Sequence, residues 1–234
     1  MQSSVIPSLL LTKDGSHTLF NSQLNECYHS TNGARQESLH VFIEAGLKHF
    51  VDNNTPQKSI QIVELGFGTG LNAILSYVFC KNKHIACTYT GIEAYPIDIL
   101  LAAKLNYTDW MSDEDKAIFS QLHSCQWDEK IELSHIFSLH KCHIRIEDYF
   151  NPSESQKYDI VYMDAFDPAK QAELWTEDLF KQIHNNMNEG GIIVTYSSKG
   201  DVKRAMRAAG FIIERLPGPV GKRHMIRGRK KTEF

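Results

Sequence analysis

The feature that most constrains the fold is a run of three glycines between a β-rich segment and an apolar helical one. Ile60-Gln-Ile-Val-Glu-Leu65 predicts a strand, Gly66, Gly68 and Gly70 follow it, and residues 71–80 predict a helix. Glycines let the backbone turn sharply and approach a ligand closely, and the amides at a helix N-terminus face that ligand. The order predicts a nucleotide-type cofactor site in an α/β fold, with a structural tight turn as the alternative.

The spacing of these glycines separates two classes of cofactor. Dinucleotide dehydrogenases use G-x-G-x-x-G, which would require a glycine at Leu71. Here an acid, Glu64, precedes glycines that alternate with Phe67 and Thr69. This form resembles the first motif of class I methyltransferases, whose cofactor has no pyrophosphate. The spacing therefore favours S-adenosyl-L-methionine.

The remainder of the chain alternates between strand and helix patterns. Further strands are predicted at 86–92, 143–146, 158–163 and 191–196, and helices at 96–106, 173–187 and 200–209. This alternation predicts a Rossmann-like, mostly parallel, doubly wound α/β sheet. Strands at 211–215 and 223–228 are expected to form an antiparallel C-terminal edge hairpin.

Two segments lie outside this alternation. Residues 8–20 predict a small N-terminal β-hairpin around Asp14-Gly15, and a helical period covers 35–50. We therefore expect an extension over 1–55 and a methyltransferase domain over 56–234. Residues 107–140 are aromatic and acidic and predict an insertion of helices, either a lid or substrate wall or simply extra packing.

Acids follow three of the predicted strands, at the edge where ligands bind in open α/β sheets. Glu93 ends strand 86–92, where an acid accepts hydrogen bonds from ribose hydroxyls. Asp148, with Glu147 as the competing choice, follows the third strand and is expected at the adenine amino group. Asp164 ends strand 158–163 and is the candidate for handling the acceptor.

The charge of the chain is distributed unevenly. Its formal net charge is −3, yet residues 199–231 contain eleven Lys and Arg against two acids, or +9, which leaves −12 for the remainder. A basic end on an acidic body suits a protein that meets a polyanion with one face. A solvated basic tail is the alternative.

Composition limits where the protein can act and what else it can bind. No apolar run is long enough to span a bilayer, and the first residues lack a signal-peptide pattern, so we expect a cytoplasmic protein without a membrane partner. The five cysteines are scattered and predict reduced thiols. The tract His140-Lys-Cys-His143 is interpreted as a strand entry, and no metal site is expected.

Five segments together resemble the methyltransferase domain of the MnmC family. They are Ser30-Thr-Asn-Gly-Ala-Arg-Gln-Glu-Ser-Leu-His-Val-Phe-Ile43, Glu64-Leu-Gly-Phe-Gly-Thr-Gly-Leu-Asn72, Met163-Asp-Ala-Phe-Asp-Pro-Ala-Lys170, Leu174-Trp-Thr-Glu-Asp-Leu-Phe180 and Gly221-Lys-Arg-His-Met225. The resemblance covers about residues 8 to 229. Many family members are fused to an FAD-dependent oxidase, and this chain resembles the stand-alone methyltransferase form without that domain.

The resemblance implies roles for particular residues. The cofactor site would be lined by Tyr28, Glu64, Gly66, Phe67, Gly68, Thr69, Gly70, Asn72, Glu93, Asp148 and Asp164, and Asp164 would be catalytic at the methyl group and the acceptor amine. The substrate would be contacted by Phe166, Pro168, Lys170, Lys199, Lys222 and Arg223. The lysines and the arginine would contact the phosphates of the RNA. Trp175 and Tyr196 are candidates either for stacking on a base or for core packing.

The implied activity is S-adenosyl-L-methionine-dependent N-methylation of the 5-aminomethyl group on the tRNA wobble (2-thio)uridine, giving 5-methylaminomethyl. The partner would be the tRNA anticodon region, with a separate enzyme supplying the aminomethyl uridine. Two alternatives are an aminopropyltransferase of the spermidine-synthase type and a non-catalytic RNA-binding protein on a methyltransferase scaffold.

Overall fold

The computed structural model describes residues 6–54, 59–150 and 156–232, which form an eight-stranded sheet and a smaller three-stranded sheet. The strands are β1 (Ser8–Leu11), β2 (His17–Asn21), β3 (Glu26–Cys27), β4 (Ser59–Leu65), β5 (Ala86–Ile92), β6 (Lys130–Ser134), β7 (Phe137–Cys142), β8 (Tyr158–Met163), β9 (Met187–Thr195), β10 (Ile212–Pro217) and β11 (His224–Arg229).

The helices lie mostly between these strands. The first, α1, runs over 34–53 in three consecutive segments, Ala34–Ser38, a wider π-helical stretch Leu39–Lys48, and His49–Asn53. The others are α2 (Leu71–Lys83), α3 (Ile99–Ala102), α4 (Asp113–Ser124), α5 (Ile146–Tyr149), a 3₁₀ turn (Ala172–Trp175), α6 (Glu177–Asn185) and α7 (Gly200–Ala208).

The large sheet has the order β10-β11-β9-β8-β4-β5-β7-β6. Five central strands pair in parallel, and the antiparallel pairs are β6 with β7 and β11 with both β9 and β10. The chain leaves β4 towards β5 on one side and later returns to β8 on the other. In sheets of this kind ligands bind at such a reversal, beyond the carboxyl ends of the strands.

Alternate residues of each central strand are buried on opposite faces of the sheet. Ile160 and Tyr162 of β8 pack with α1, α2 and α4, whereas Val161 and Met163 pack with α6 and α7. Burial on both faces is the reason that β8 has an unbroken apolar run from Ile160 to Met163.

The predicted N-terminal extension and C-terminal hairpin are both present, and they touch each other. Nε2 of His40 in α1 lies 2.9 Å from the carbonyl of Pro217, and the Arg227 guanidinium donates to the carbonyl of Ala45 at 2.9 Å. Leu19 and Leu47 belong to the same core cluster as strands β4 and β5. Residues 6–54 therefore share a core with the sheet.

The third strand of the parallel series was predicted in the wrong place. The prediction was 143–146, but β7 ends at Cys142 and residues 146–149 are helical. His140 and Cys142 therefore lie at the end of a strand that the prediction put inside the insertion. Among the described residues no group of three His, Cys, Asp or Glu is arranged to hold a metal ion.

The prediction that the insertion consists of helices was also only partly correct. Helix α4 is present, capped by the Ser112 hydroxyl, but β6 and β7 follow it as an antiparallel hairpin that joins the sheet. The helix predicted over 96–106, with Pro96 in its first turn, is only the single turn α3, which starts after its N-cap Asp98 and ends at Ala102. No helix in the described parts of the chain is long and apolar enough to cross a membrane.

Candidate cofactor and acceptor site

A cavity of about 940 Å³ lies beyond the carboxyl ends of β4, β5 and β8. Its wall includes the glycine loop at Gly66, Phe67, Gly68 and Thr69 together with the strand-end acids Glu64, Glu93 and Asp164. Residues from the N-terminal part, Tyr28 and His29 among them, close one side. The sheet thus brings together residues that are far apart in the sequence.

The glycine loop needs glycine for both conformation and space. Gly66, Gly68 and Gly70 have φ values of 96°, 48° and 71°, which side chains rarely adopt. A Cβ at Gly66 would lie 2.8 Å from the carbonyl oxygen of Asp164, and one at Gly68 would lie 3.1 Å from the ring of Tyr28. The loop can therefore pass close both to its neighbours and to a ligand.

Glu93 is held in place by the backbone. Its Oε2 accepts a hydrogen bond from the Gly68 amide and its Oε1 one from the Tyr95 amide, both at 2.9 Å. Burial raises the pKa of this carboxyl, while the amide hydrogen bonds oppose the rise. A carboxylate oriented in this way keeps free lone pairs for a pair of hydroxyls.

Glu64 and Asp164 are linked by one amide group. Nδ2 of Asn72 donates to Oε1 of Glu64 at 2.7 Å and to Oδ2 of Asp164 at 2.8 Å, while the Tyr89 hydroxyl donates to Glu64 at 2.8 Å. Burial raises the pKa of Glu64 to about 8, and it raises that of Asp164 well above its ordinary value. Asp164 is therefore a buried acid that binds its proton more tightly than an exposed aspartate.

The backbone after Asp164 is fixed by two aromatic side chains. The Tyr196 hydroxyl donates to the Ala165 carbonyl at 2.8 Å, and Nε1 of Trp175 donates to the Phe166 carbonyl at 3.0 Å. Trp175 is buried. Of the two interpretations for Trp175 and Tyr196, packing describes their contacts in the structure.

The residues predicted to contact substrate fall into two groups. Phe166 and Lys170 line the cavity, and the Phe166 ring packs edge-on against Tyr28 with centroids 5.1 Å apart. Pro168, Lys199, Lys222 and Arg223 are not among the lining residues, and neither are Gly70 and Asn72, which support the wall from behind.

Asp148 is not at the cavity, in contrast to the expectation. It is exposed, whereas the competing residue, Glu147, is part of the wall. Both residues lie in the short helix α5 that follows the early end of β7, where Glu147 is half-buried and Asp148 is exposed. The guanidinium of Arg145, also in the wall, forms an ion pair with Glu147.

The predicted basic tail is a folded part of the molecule. Lys199 forms an ion pair with Asp167, and Lys222 forms one with Glu37 at 2.8 Å. Arg227 is buried and paired with Glu214. Part of the positive charge is therefore neutralised by contacts within the chain.

Several wall residues were not found from the sequence. His29, next to Tyr28, is 8% exposed, its Nδ1 has no hydrogen-bond partner among the described residues, and burial lowers its pKa to about 4. Trp127 and His123 of the insertion do not line the cavity, but they pack edge-on against Phe67, which does. No periodic pattern or motif marks these residues, because they reach the site only through tertiary contacts.

The site fits an S-adenosyl nucleotide. Glycine at 66 and 68 leaves a cradle that a Cβ would fill, and the oriented Glu93 carboxylate beside it suits ribose hydroxyls. A mostly parallel sheet with this loop and these strand-end acids defines the chain as a class I methyltransferase-type protein.

Comparison with known proteins specifies the class. The family described as S-adenosyl-L-methionine-dependent methyltransferase matches residues 109–231, more than half of the chain. The chain belongs to this family, and its cofactor is S-adenosyl-L-methionine.

Individual relatives are similar over nearly the whole chain. Two are the tRNA 5-methylaminomethyl-2-thiouridine biosynthesis bifunctional proteins MnmC of Paraburkholderia xenovorans, 26% identical over 98% of this chain, and of Burkholderia multivorans, 30% identical over 97%. The chain spans 36% of the length of each. The crystal structure of MNMC2 from Aquifex aeolicus superposes with a TM-score of 0.76 and 25% identity, covering 100% of this chain and 73% of that one.

Proposed function

We propose that this chain transfers a methyl group from S-adenosyl-L-methionine to the 5-aminomethyl nitrogen of a wobble (2-thio)uridine in tRNA, giving the 5-methylaminomethyl group. The observation that carries the proposal is Asp164, an acid with a raised pKa that lies in the wall of the cavity beside the glycine loop. The tRNA-modifying relatives, similar over almost the full chain, support the choice of acceptor.

The cofactor residues follow from the same wall. We assign Gly66, Gly68 and Thr69 to the methionine and ribose part, and Glu93 to the ribose hydroxyls, because its carboxylate is oriented by two amides. Tyr28 and Phe67 are assigned to the walls of the cofactor site. Glu147 replaces Asp148 at the adenine end, because it alone of the two lines the cavity.

The bound cofactor supplies an electrophilic methyl group on a sulfonium. The acceptor nitrogen must carry a lone pair, so a protonated amine has to lose a proton before transfer. The Asp164 carboxylate orients the amine and accepts that proton as a general base. Asn72 fixes the carboxylate by its hydrogen bond, and alignment of donor and acceptor contributes much of the rate.

The tRNA would approach over the loop that follows Asp164. Lys170 of this loop lines the cavity, and Lys199, which follows β9, contacts the loop through its ion pair with Asp167. We assign these lysines and the exposed Arg223 to backbone phosphates of the anticodon region, whose unstacked bases can enter a pocket. Phe166 and Pro168 are assigned to the substrate side of the wall.

The division of the chain follows from these assignments. Residues 6–54 serve as an extension that closes the acceptor side of the cavity, and the remainder carries the cofactor site. A separate enzyme would supply the aminomethyl uridine.

The test uses the purified chain, labelled S-adenosyl-L-methionine and tRNA that carries 5-aminomethyl(2-thio)uridine. We expect label in the 5-methylaminomethyl nucleoside after digestion, and no label in a matched tRNA with unmodified uridine at the wobble position. Turnover with decarboxylated S-adenosylmethionine and a polyamine, in place of tRNA, would instead identify an aminopropyltransferase. Binding of tRNA without either reaction would leave a non-catalytic RNA-binding protein.

A further inference from the structure

The insertion over 107–140 contacts both residues that alternate with the glycines of the cofactor loop. The ring of Phe67 packs edge-on against His123 and Trp127, with centroids 6.1 and 6.0 Å apart. Thr69 is 1% exposed, and both of its oxygen atoms are hydrogen-bonded to side chains of the insertion. The insertion therefore touches the loop at each position between Gly66 and Gly70 that is not glycine.

Two separate parts of the insertion hold Thr69. The Tyr107 hydroxyl donates to Oγ1 of Thr69 at 3.2 Å, and Nε2 of His123, near the end of α4, lies 3.2 Å from the Thr69 carbonyl oxygen. Because a carbonyl only accepts, Nε2 of His123 carries the proton and donates. Desolvation lowers the pKa of His123 to about 4, and the charge of Lys141 acts in the same direction, so the ring is neutral at pH 7.

The amide of Thr69 is the loop donor that the protein itself leaves unused. Four of the five amides in residues 66–70 donate to acceptors within the chain, namely those of Gly66, Phe67, Gly68 and Gly70. The Thr69 amide has no acceptor among the residues that the structure describes. A buried amide without an acceptor is costly, and Thr69 lies in the cavity wall, so this donor is available to a ligand there.

We propose that the insertion positions the cofactor: Tyr107 and His123 hold the two oxygen atoms of Thr69 so that the Thr69 amide donates to an oxygen of S-adenosyl-L-methionine. Neither of the two side chains lines the cavity, so both are positioning residues that act through Thr69. This inference rests on the proposed assignment of Thr69 to the cofactor, and it gives the insertion a role other than a lid or extra packing.

A buried lysine joins the two contacts of the insertion with the loop. Nζ of Lys141, a residue that is 1% exposed, donates to the His123 carbonyl at 3.2 Å and lies 4.7 Å from the ring centroid of Trp127. The lysine therefore connects the segment that holds Thr69 to the ring that packs against Phe67.

Removal of either hydrogen bond to Thr69 should weaken cofactor binding although no side chain of the cavity wall is changed. Tyr107→Phe deletes one hydroxyl and keeps the ring that packs against Phe119. His123→Phe deletes the donor and keeps an aromatic ring beside Phe67. Each variant loses one hydrogen bond, so the Kd for S-adenosyl-L-methionine should rise about two- to tenfold. His123→Gln retains an N–H donor and should bind the cofactor more tightly than His123→Phe.

A double-mutant cycle tests whether the effect passes through Thr69. Thr69→Val removes the acceptor of the Tyr107 hydroxyl but keeps the branched shape of the side chain and the backbone amide. It should raise the Kd about as much as Tyr107→Phe does, and the double variant should bind about as well as either single variant, because both remove the same contact. Effects that multiply in the double variant would show that the two residues act independently.

Calorimetry measures the Kd in each purified protein, at a temperature where urea unfolding shows all of them to be folded. Two matched controls lie away from the loop. Tyr77→Phe removes the hydroxyl of a buried tyrosine that contacts Glu114 of α4 at 3.4 Å, and His184→Phe changes a ring that packs edge-on against Phe211. Both controls should bind the cofactor like the wild type.

Amide exchange observes the proposed donor directly. In ¹⁵N-labelled protein, exchange of the Thr69 amide with solvent should slow when S-adenosyl-L-methionine is added, and it should slow less in Tyr107→Phe than in the wild type. In the methylation assay, the KM for the cofactor should rise in Tyr107→Phe with kcat near the wild-type value, since Asp164 is unchanged.

A wild-type Kd in both Tyr107→Phe and His123→Phe would overturn the inference. So would an equal rise in the two controls, or a Thr69 amide that the cofactor does not protect. If His123→Phe fails to fold, Tyr107→Phe and Thr69→Val decide. If the wild type binds the cofactor but methylates no tRNA, the proposed acceptor is wrong, while the binding and exchange measurements still decide the role of the insertion.

Discussion

The Nδ2 amide of Asn72 lies 2.8 Å from Oδ2 of Asp164 and donates a hydrogen bond to it. The same nitrogen donates to Glu64, so one neutral group from α2 holds the acid that ends β8 and the acid near the end of β4. The helix behind the glycine loop thereby fixes the position of the Asp164 carboxylate as well as that of the loop.

Asn72→Ala should reduce both stability and activity. Two buried acceptors lose their donor, so the free energy of unfolding at pH 7 should fall by about 1–3 kcal/mol. Urea unfolding measures this change. Ser76→Ala, one turn further along α2, removes only a 3.2 Å contact with the Tyr162 hydroxyl and should cost less. Equal losses in both variants would contradict a special role for Asn72.

Gly68→Ala should weaken cofactor binding more than the same substitution at a glycine with a positive φ elsewhere in the chain. The substitution places a methyl group 3.1 Å from the Tyr28 ring at a φ of 48° and crowds the cradle. We expect at least a tenfold rise in the Kd for S-adenosyl-L-methionine, about 1.4 kcal/mol, by calorimetry. Gly15→Ala is the control, since Gly15 has a φ of 82° with nothing within 4 Å of the added Cβ. Unchanged binding in Gly68→Ala would remove the loop from the cofactor site.

Asp164→Asn should separate chemistry from binding. The amide cannot accept the proton of the acceptor amine, so kcat should fall by about 10²–10⁴-fold, the usual contribution of a general base. The Kd for S-adenosyl-L-methionine should change little, because Glu93 and the glycine loop remain. Asp167→Asn, three residues later, removes only the ion pair with Lys199 and should keep most of kcat. Full turnover in Asp164→Asn would exclude this residue from the mechanism.

Stability should depend on pH through His29. Burial lowers its pKa to about 4, whereas the unfolded chain has a value near 6.5. Between these values only the unfolded state binds the proton, so stability is lost as the pH falls from 6.5 towards 4, by on the order of 3 kcal/mol.

Replacement of this histidine isolates its contribution. His29→Phe should flatten the dependence relative to the wild type, measured as the free energy of unfolding in urea at pH 7, 5.5 and 4.5. His135→Phe changes an exposed histidine and should leave the slope as it is. Parallel curves for the wild type and His29→Phe would show that His29 is not buried as a neutral ring.

Binding of tRNA should depend on salt through the lysines at the mouth of the cavity. Lys170→Met should lower the slope of log Kd against log salt by about one and weaken binding to all tRNAs alike. Fluorescence anisotropy from 50 to 300 mM salt measures the slope. Lys116→Met, on helix α4 and paired with Asp113, should not alter it. An unchanged slope in Lys170→Met would show that the RNA binds to another surface.

The sequence was sufficient to predict features in which the backbone conformation itself requires a particular type of residue. Gly66, Gly68 and Gly70 could be identified because few residues other than glycine adopt their positive φ values or fit their close packing. The parallel sheet was predicted from the alternation of strand and helix patterns. The end strands were predicted as a hairpin because a turn rich in glycine and proline joins them. These are local signals that a chain carries in its own residue order.

Contacts between distant residues were not predictable in this way. The strand β7 was misplaced because its alternating pattern continues into residues 143–146, and only its pairing with β5 and β6 fixes where it ends. Of the two acids that follow this strand, Asp148 was preferred in the prediction, whereas Glu147 lines the cavity. Lys222 was assigned to phosphates because its charge is visible in the sequence, whereas its partner Glu37 is 185 residues away.

The ion pair between Glu37 and Lys222 also sets an order of events during synthesis. Helix α1 leaves the ribosome long before the β10–β11 turn, which follows 185 residues later. Until that turn emerges, the Glu37 carboxylate has no cation, and the ring of Tyr196 lacks the Lys222 ammonium that lies 3.8 Å from its centroid. The residues of the glycine loop and Glu93 are made well before Lys222, so this corner of the molecule is among the last to be completed during synthesis.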